Sequence, residues 1–246
     1  MKLNVDLHMH SCLSPCADDD MTPNNLVNMA WLNGLDAIAV SDHNTARNLP
    51  AVREAARERG IALLPALEVT TREEVHVLCY FPTVEAALAF DSWVYERLPA
   101  IPNAPAFFGR QLLMNARDEV VGQEERLLLS AISAGLEEVA CAARAMGGLA
   151  VPAHINRGAN GILTNLGFIP PGAGFTAVEV SRRSPPPPID LSRYMVLCAS
   201  DAHRLEDIPE EGHALECAGC DAIAIFASIA RAEHAQKARN DAKIEE

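Results

Sequence analysis

An α/β fold is predicted by two features of the chain. Apolar runs of strand length alternate with stretches that carry helix caps and end on glycine, and histidines gather where the apolar runs stop. With 246 residues, 49% of them hydrophobic, the sequence can bury one large core, so a single domain over residues 1–246 is expected.

The first apolar run, residues 3–8, delivers His8 and His10 with one residue between them. Alternate side chains of a strand share a face, so the two form a chelating pair. Asp6, one step earlier on that face, is expected to accept a hydrogen bond from a ring N–H and so choose the nitrogen left for a metal. Thr22 then caps a helix with Pro23 at its first position, and Gly34 closes it. Residues 36–40 are apolar enough for a strand buried on both faces, and they run into Ser41-Asp42-His43-Asn44. A helix over 46–59 stops at Gly60, and a strand over 61–67 ends in Glu68. Pro65 inside that strand demands an edge, a bulge or a shorter strand. Polar residues 71–74 turn the chain into a strand over 75–81, an antiparallel neighbour that brings His76 to the same end as Glu68.

Thr83 caps a helix to residue 98. Residues 99–130 read as an insertion or lid, an irregular loop to 110 and then a hairpin over 111–122. An amphipathic helix over 136–146 ends at Gly147-Gly148, and the strand over 149–153 leads to His154. The connection over 155–175 is longer than a compact domain usually needs, a length that often marks function. A strand over 176–180, a stiff run of four prolines after Ser184, and a strand over 194–199 follow, the last running into Ser200-Asp201-Ala202-His203. Beyond Ala222 an apolar run and then a charged helix are expected.

The balance of 20 basic against 33 acidic side chains gives a formal charge of -13, which repels polyanions and disfavours long nucleic acid as a partner. With neither a bilayer-length apolar stretch nor a signal-peptide pattern, the expected location is cytoplasmic, with no membrane partner. Seven cysteines, an odd number, in mostly apolar settings such as Cys79, Cys141 and Cys198, fit reduced thiols better than a disulfide framework. A zinc ribbon needs two close pairs at a suitable separation, and Cys12 with Cys16 and Cys217 with Cys220 are read as structural thiols instead.

Any one histidine at a strand end is more often a satisfied core residue than a ligand. Here His8, His10, His43, His76, His154 and His203 all lie at the edge of an apolar run, together with Glu68 and Asp201, whereas His213 and His234 do not. In a barrel of parallel strands such ends converge on one face. Imidazoles with a minority of carboxylates suit Zn, Mn or Fe, and so many donors imply two or three divalent ions. Such a centre attracts phosphate and lowers the pKa of a bridging water.

His8-Met9-His10-Ser11, Ser41-Asp42-His43-Asn44, Leu67-Glu68-Val69-Thr70, Val75-His76-Val77-Leu78, Pro152-Ala153-His154 and Ser200-Asp201-Ala202-His203 together resemble the PHP (polymerase and histidinol phosphatase) family. The resemblance runs from residue 3 to about 208, apart from a middle stretch that no motif matches. It implies a distorted (β/α)7 barrel, TIM-barrel-like, holding three metals. His8, His10, Glu68 and Asp201 would hold the first; Glu68, bridging, would hold the second with His76 and His154. His43 and His203 would hold the third with a residue from the loop after the first strand. Asp18, Asp19 and Asp20 lie there, and counting back from the helix start favours Asp18.

The implied activity is that of a phosphoesterase, a phosphomonoesterase first, acting on a small soluble substrate through a metal-bridging hydroxide. Glu68, Asp201 and His203 are the catalytic candidates, Asp201 or His203 managing the leaving-group proton. Arg157, Arg204 and Arg182 with Arg183 are candidates to grip phosphate oxygens, Arg157 first. A nuclease or 3',5'-bisnucleotide phosphatase, an amidohydrolase-like enzyme and a non-catalytic metal-binding regulatory protein are the alternatives. Oligomeric state is left open.

Overall fold

A computed structural model describes residues 1–231, and the expected charged tail, with His234, lies outside them. The elements are β1 (Lys2–Met9), α1 (Pro23–Leu32), β2 (Ala37–Val40), α2 (Leu49–Arg59), β3 (Ala62–Leu63), β4 (Ala66–Thr70), β5 (His76–Tyr80), α3 (Val84–Tyr95), α4 (Pro105–Phe108), β6 (Leu112–Met114) and β7 (Val120–Gln123). They continue with α5 (Leu136–Ala145), β8 (Leu149–Pro152), α6 (Ile162–Leu166), β9 (Ala177–Glu179), β10 (Met195–Leu197) and β11 (His213–Glu216). No helix among the described residues is long and apolar enough to cross a membrane.

The caps do what the sequence asks of them. The Thr22 and Thr83 hydroxyls accept from the Asn25 and Ala86 amides, and Gly60 ends α2 at φ 70°, a conformation without penalty for glycine. Pro65 breaks the third strand into β3 and β4, since it has no N–H for a ladder. β1, β2 and β3 run parallel, and β11 joins β1 from the other side, antiparallel. β4, β5 and β8 form an antiparallel sheet, and β9 pairs with β10 in parallel. Because β5 runs against β4, the start of β5 lies at the end of β4, with Thr70 opposite His76.

Backbone bonds join these sheets where the site residues emerge. Met9 bridges Ala202 and His43 bridges Glu68, both in parallel, and the Ile155 amide donates to the Glu179 carbonyl at 2.9 Å. Two apolar layers flank the strands. One contains Leu3, Val5, Leu7, Ala66, Leu78, Tyr80 and Ala177; the other packs Ile38, Val40, Leu67, Val77 and Val178 against α1, α2, α3 and α5.

Residues 99–130 contain the expected hairpin, β6 with β7, and the segment is tied down by buried polar contacts. Asn44 donates to the Leu128 and Ser130 carbonyls, and Asn48 donates to the Leu112 carbonyl and accepts from the Met114 amide. Arg47 pairs with Asp91 and Glu124, while Arg47 and Arg126 lie 4.2 and 4.3 Å from the centre of the Tyr95 ring. A Cβ on Gly109 would stand 2.0 Å from the Pro15 carbonyl oxygen, so only glycine permits this close approach to the loop after β1.

All seven cysteines are free thiols. Cys12, Cys79 and Cys217 are buried, but Cys141, expected in an apolar setting, faces solvent on α5, and Cys198 is only partly covered. His213 begins β11, a strand that the apolar pattern does not announce.

Candidate metal centre

Strand parity explains which side chains meet. Glu68, His76 and Glu179 lie two residues along their strands from Ala66, Leu78 and Ala177, and therefore share a face with that apolar layer. On β1 the residues that share the layer are Leu3, Val5 and Leu7, so strict alternation would send His8 the other way. A bulge prevents this. Asp6 pairs with Ile38 and Met9 with Val40, one residue more on β1 than on β2, and the shift re-aims His8 and His10 inward. The same bulge separates them from Asp6, which corrects the expectation placed on it. Its carboxylate accepts from the Ser200 amide at 3.0 Å and from the Ser200 hydroxyl. The residue that holds His8 is Glu179, its Oε2 2.7 Å from His8 Nδ1, with both side chains buried. Its signal in the sequence is a lone carboxylate inside the apolar run 177–180.

Glu68, 1% exposed, is the hub. Its Oε1 lies 3.0 Å from His76 Nδ1, 3.1 Å from His154 Nε2 and 3.4 Å from His8 Nε2. Its Oε2 lies 3.1 Å from His43 Nδ1 and 3.4 Å from His10 Nε2. Asp201 Oδ1 is 3.2 Å from both His8 Nε2 and His10 Nε2. The His203 ring stacks on His10 at 4.3 Å between centres, its Nδ1 bonded to the Asp201 carbonyl at 2.9 Å. Thus His8, His10, His43, Glu68, His76, His154, Asp201 and His203 are brought together. Their donor atoms form three overlapping triads suited to a cation: His8, His10 and Asp201; His10, His43 and His203; His43, Glu68 and His76.

Several of these atoms are buried without a hydrogen-bond partner: His43 Nδ1, His76 Nδ1, Glu68 Oε2 and Asp201 Oδ1. Leaving such groups unpaired is costly, and divalent cations would satisfy all four at once. Non-glycine residues with positive φ also cluster here: Asn44 at 54°, His154 at 29°, Asn160 at 58° and Asp201 at 54°.

The electrostatics divide the histidines. Burial opposes charge on His8, yet the carboxylates of Glu179, Asp201 and Glu68 hold its pKa well above the ordinary range; His10, likewise buried, is pushed up to about 9 by Asp201 and Glu68. Burial and the neighbouring His10 hold His43 well below its usual value and bring His203 down to about 4. Against the effect of burial, His76, His8 and His43 keep the Glu68 carboxyl well below its usual range, and His8 and His10 do the same for Asp201. The centre therefore offers ionised carboxylates at Glu68 and Asp201 and neutral imidazoles at His43 and His203, whereas His8 and His10 carry a proton that a metal must displace.

The remaining candidates are placed as follows. Asp18 donates its amide to the His203 carbonyl at 2.9 Å, but its carboxylate is 55% exposed and 3.7 Å from Arg204 Nε. Asp19 pairs with Arg110 at 3.0 Å, and Asp20 gives its carbonyl to Asn25. Arg157 pairs with Asp201 and, with Asn160, lines a cavity of about 120 Å³ floored by His43, Glu68, His76 and His154. Asn160, which the sequence reading did not single out, contacts His76 Nε2 at 2.7 Å. Arg182 is not at the centre: its two terminal nitrogens each donate at 2.9 Å to carbonyls of Glu211 and Gly212, in the turn before β11. Arg183 pairs with Asp207.

A family model described as PHP domain matches residues 6–142. A 5'-3' exoribonuclease of Haemophilus influenzae is 33% identical over 81 residues, 32% of this chain and 28% of that protein, so the alignment spans less than a third of the relative's length. Among solved structures, a lesion-specific endonuclease from Pyrococcus furiosus superposes with a TM-score of 0.69 at 19% identity, covering 93% of this chain and 56% of that one. A Bifidobacterium adolescentis protein assigned as a metal-dependent phosphoesterase gives a TM-score of 0.56 at 21% identity, covering 81% of this chain and 87% of that one. At these identities the two structures bear on the fold alone.

Proposed function

Because this chain belongs to the PHP domain family, and its buried ligand atoms converge without hydrogen-bond partners, we propose that it is a metal-dependent phosphoesterase. The convergence of unpaired His43 Nδ1, His76 Nδ1, Glu68 Oε2 and Asp201 Oδ1 is the observation that carries this reading. The preferred substrate is a small phosphomonoester. A cavity of about 120 Å³ has room for a phosphoryl group and leaves the leaving group at the rim.

The ions proposed are two or three of Zn, Mn or Fe. His8, His10, Glu68 and Asp201 would hold one; Glu68, His76 and His154 a second; His43, His203 and Asp18 a third. Bound divalent ions supply charge neutralisation at phosphorus and acidify water. Glu68 holds several imidazoles at once and fixes the spacing of the sites. Arg157, at the cavity edge, grips a phosphate oxygen, and Arg204, next to His203 in sequence and near the Asp18 carboxylate, is a second candidate. Asp201 or His203 would manage the leaving-group proton; His203, whose lowered pKa leaves it neutral, is the better proton acceptor of the two, and Asp201 is held ionised beside Arg157. A distorted (β/α)7 barrel, with β3 and β4 counted as one broken strand, accounts for the backbone links from β1 through β2, β4, β5, β8, β9 and β10 back to β1.

The second reading is a nuclease or 3',5'-bisnucleotide phosphatase, favoured by the identity to the exoribonuclease. A shallow phosphoryl site accepts a nucleotide leaving group as readily as a smaller one. Elemental analysis, followed by assay of p-nitrophenyl phosphate, its bis-ester, histidinol phosphate and short oligonucleotides with added Mn(II) or Zn(II), separates the readings. The expected result is bound transition metal and hydrolysis of a monoester, lost in Glu68→Gln. A protein that takes up no metal and cleaves no ester overturns the proposal, and wild-type activity in Glu68→Gln overturns the bridging role.

A further inference from the structure

Ser14 stands at a crossing that the reaction itself does not use. Its hydroxyl is 0% exposed and donates to Asp42 Oδ1 at 2.7 Å. It lies 3.0 Å from His10 Nδ1 and accepts from the backbone amide of His43 at 3.1 Å. A serine hydroxyl has one proton and two lone pairs, so this set uses all of its capacity. With the proton committed to Asp42, the contact to His10 has one remaining sense: Nδ1–H donates to Ser14. The network thereby assigns the tautomer of the neutral ring: the proton stays on Nδ1, and Nε2, which faces Glu68 and Asp201, is the nitrogen left for a metal.

Asp42 is held just as firmly. It is 3% exposed, and besides Ser14 it accepts from the Ser11 amide at 2.8 Å and the Ser11 hydroxyl at 2.6 Å. Ser11 in turn accepts from Asn48 Nδ2 at 3.0 Å, and Asn48 is the residue that ties β6 to the body of the protein. The chain Asn48, Ser11, Asp42, Ser14 thus ends on two ligands at once, the ring of His10 and the backbone of His43.

We propose that Ser14, backed by Asp42, is a positioning residue that sets the metal-facing orientation and tautomer of His10 and fixes the backbone of His43. The inference rests on the metal-centre reading above. His8 obtains the same service directly from Glu179; His10 obtains it through a hydroxyl relay. Partners of this kind typically change metal affinity by about 10- to 100-fold when removed.

The test compares Ser14→Ala, Asp42→Asn and wild-type protein by competition for Zn(II) against a chromophoric chelator, with urea midpoints measured in excess EDTA. Ser14→Ala is expected to bind about 10- to 100-fold more weakly. Asp42→Asn, which keeps an oxygen for Ser14, is expected to fall between it and wild type. A merely structural residue would lower the urea midpoint and leave the affinity of the folded protein unchanged, and that result overturns the proposal. Nitrogen-15 NMR of the metal-free wild type, titrated upward through the raised His10 value of about 9 until the ring is neutral, reads the tautomer without any variant: a neutral ring protonated on Nδ1 supports the relay, and one protonated on Nε2 overturns it. Should wild-type protein bind no Zn(II), the metal-centre reading fails instead, and the tautomer measurement still decides the hydrogen-bond assignment.

Discussion

Glu179→Gln probes how the centre is tuned without touching a ligand. The carboxylate sits 2.7 Å from His8 Nδ1, both side chains are buried, and its charge is the leading influence raising the His8 pKa against burial. Glutamine keeps the shape and still offers one oxygen to the ring N–H, so the substitution withdraws the charge and little else. A hydrogen bond to a charged group contributes about 1.5–3 kcal/mol and a neutral one about 1 kcal/mol. The difference, about 0.5–2 kcal/mol, corresponds to roughly a 2- to 30-fold loss of affinity for an ion held by His8 Nε2. Chelator competition with Zn(II) near neutral pH, on folded wild-type and variant protein, measures the ratio directly. Equal affinities would refute the argument, because a buried charge at that distance cannot be removed from a ligand's ring without consequence.

Two further outcomes are expected. Arg157→Ala should raise KM for a phosphate ester by about 10- to 100-fold, the loss of one charge-assisted bond, while metal content stays at the wild-type level; a parallel loss of metal would show that Arg157 acts on the ligands instead. His213 has its pKa lowered by burial and by the charge of Arg182, so the folded state prefers the neutral ring. Its contribution to stability is therefore present above the ordinary value of about 6.5 and lost as pH falls through the lowered folded value. Urea midpoints of His213→Asn in EDTA should fall less steeply than wild type below about pH 6.5, and parallel profiles would remove His213 as a source of acid sensitivity.

The convergence of the six histidines with Glu68 and Asp201 is legible in the sequence because each lies at the edge of an apolar run, and burial of those runs is a strong, local signal. What lies around the ligands is less legible. β11 has one buried side chain, Leu215, and is held to β1 by backbone bonds, which leave no trace in hydropathy. Asp6 misleads because alternation along β1 holds only up to the bulge, and a bulge is set by pairing with β2 rather than by its own residues. Glu179 is visible as a charge inside an apolar run, but its partner lies on a strand remote in sequence. The break at Pro65 and the caps at Thr22 and Thr83 are local chemistry and are read correctly. Residues 99–130 read as an insertion or lid, and their bonds to Asn44 and Asn48 are not legible because they run between polar side chains and distant backbone groups, a pattern no periodicity encodes.

The position of β1 has a consequence for the order of events in the cell. His8 and His10 are made first, yet Glu179, Asp201 and His203 complete their surroundings only after nearly all the described chain has been synthesised. At about 5–20 residues per second, roughly 10–40 s separate the first ligand from the last. Through that interval the pair is an exposed chelate with no fixed tautomer and no enclosing carboxylates, open to whichever soft cation it meets. On the proposed metal-centre reading, the full donor set that would choose among ions exists only once the fold has closed.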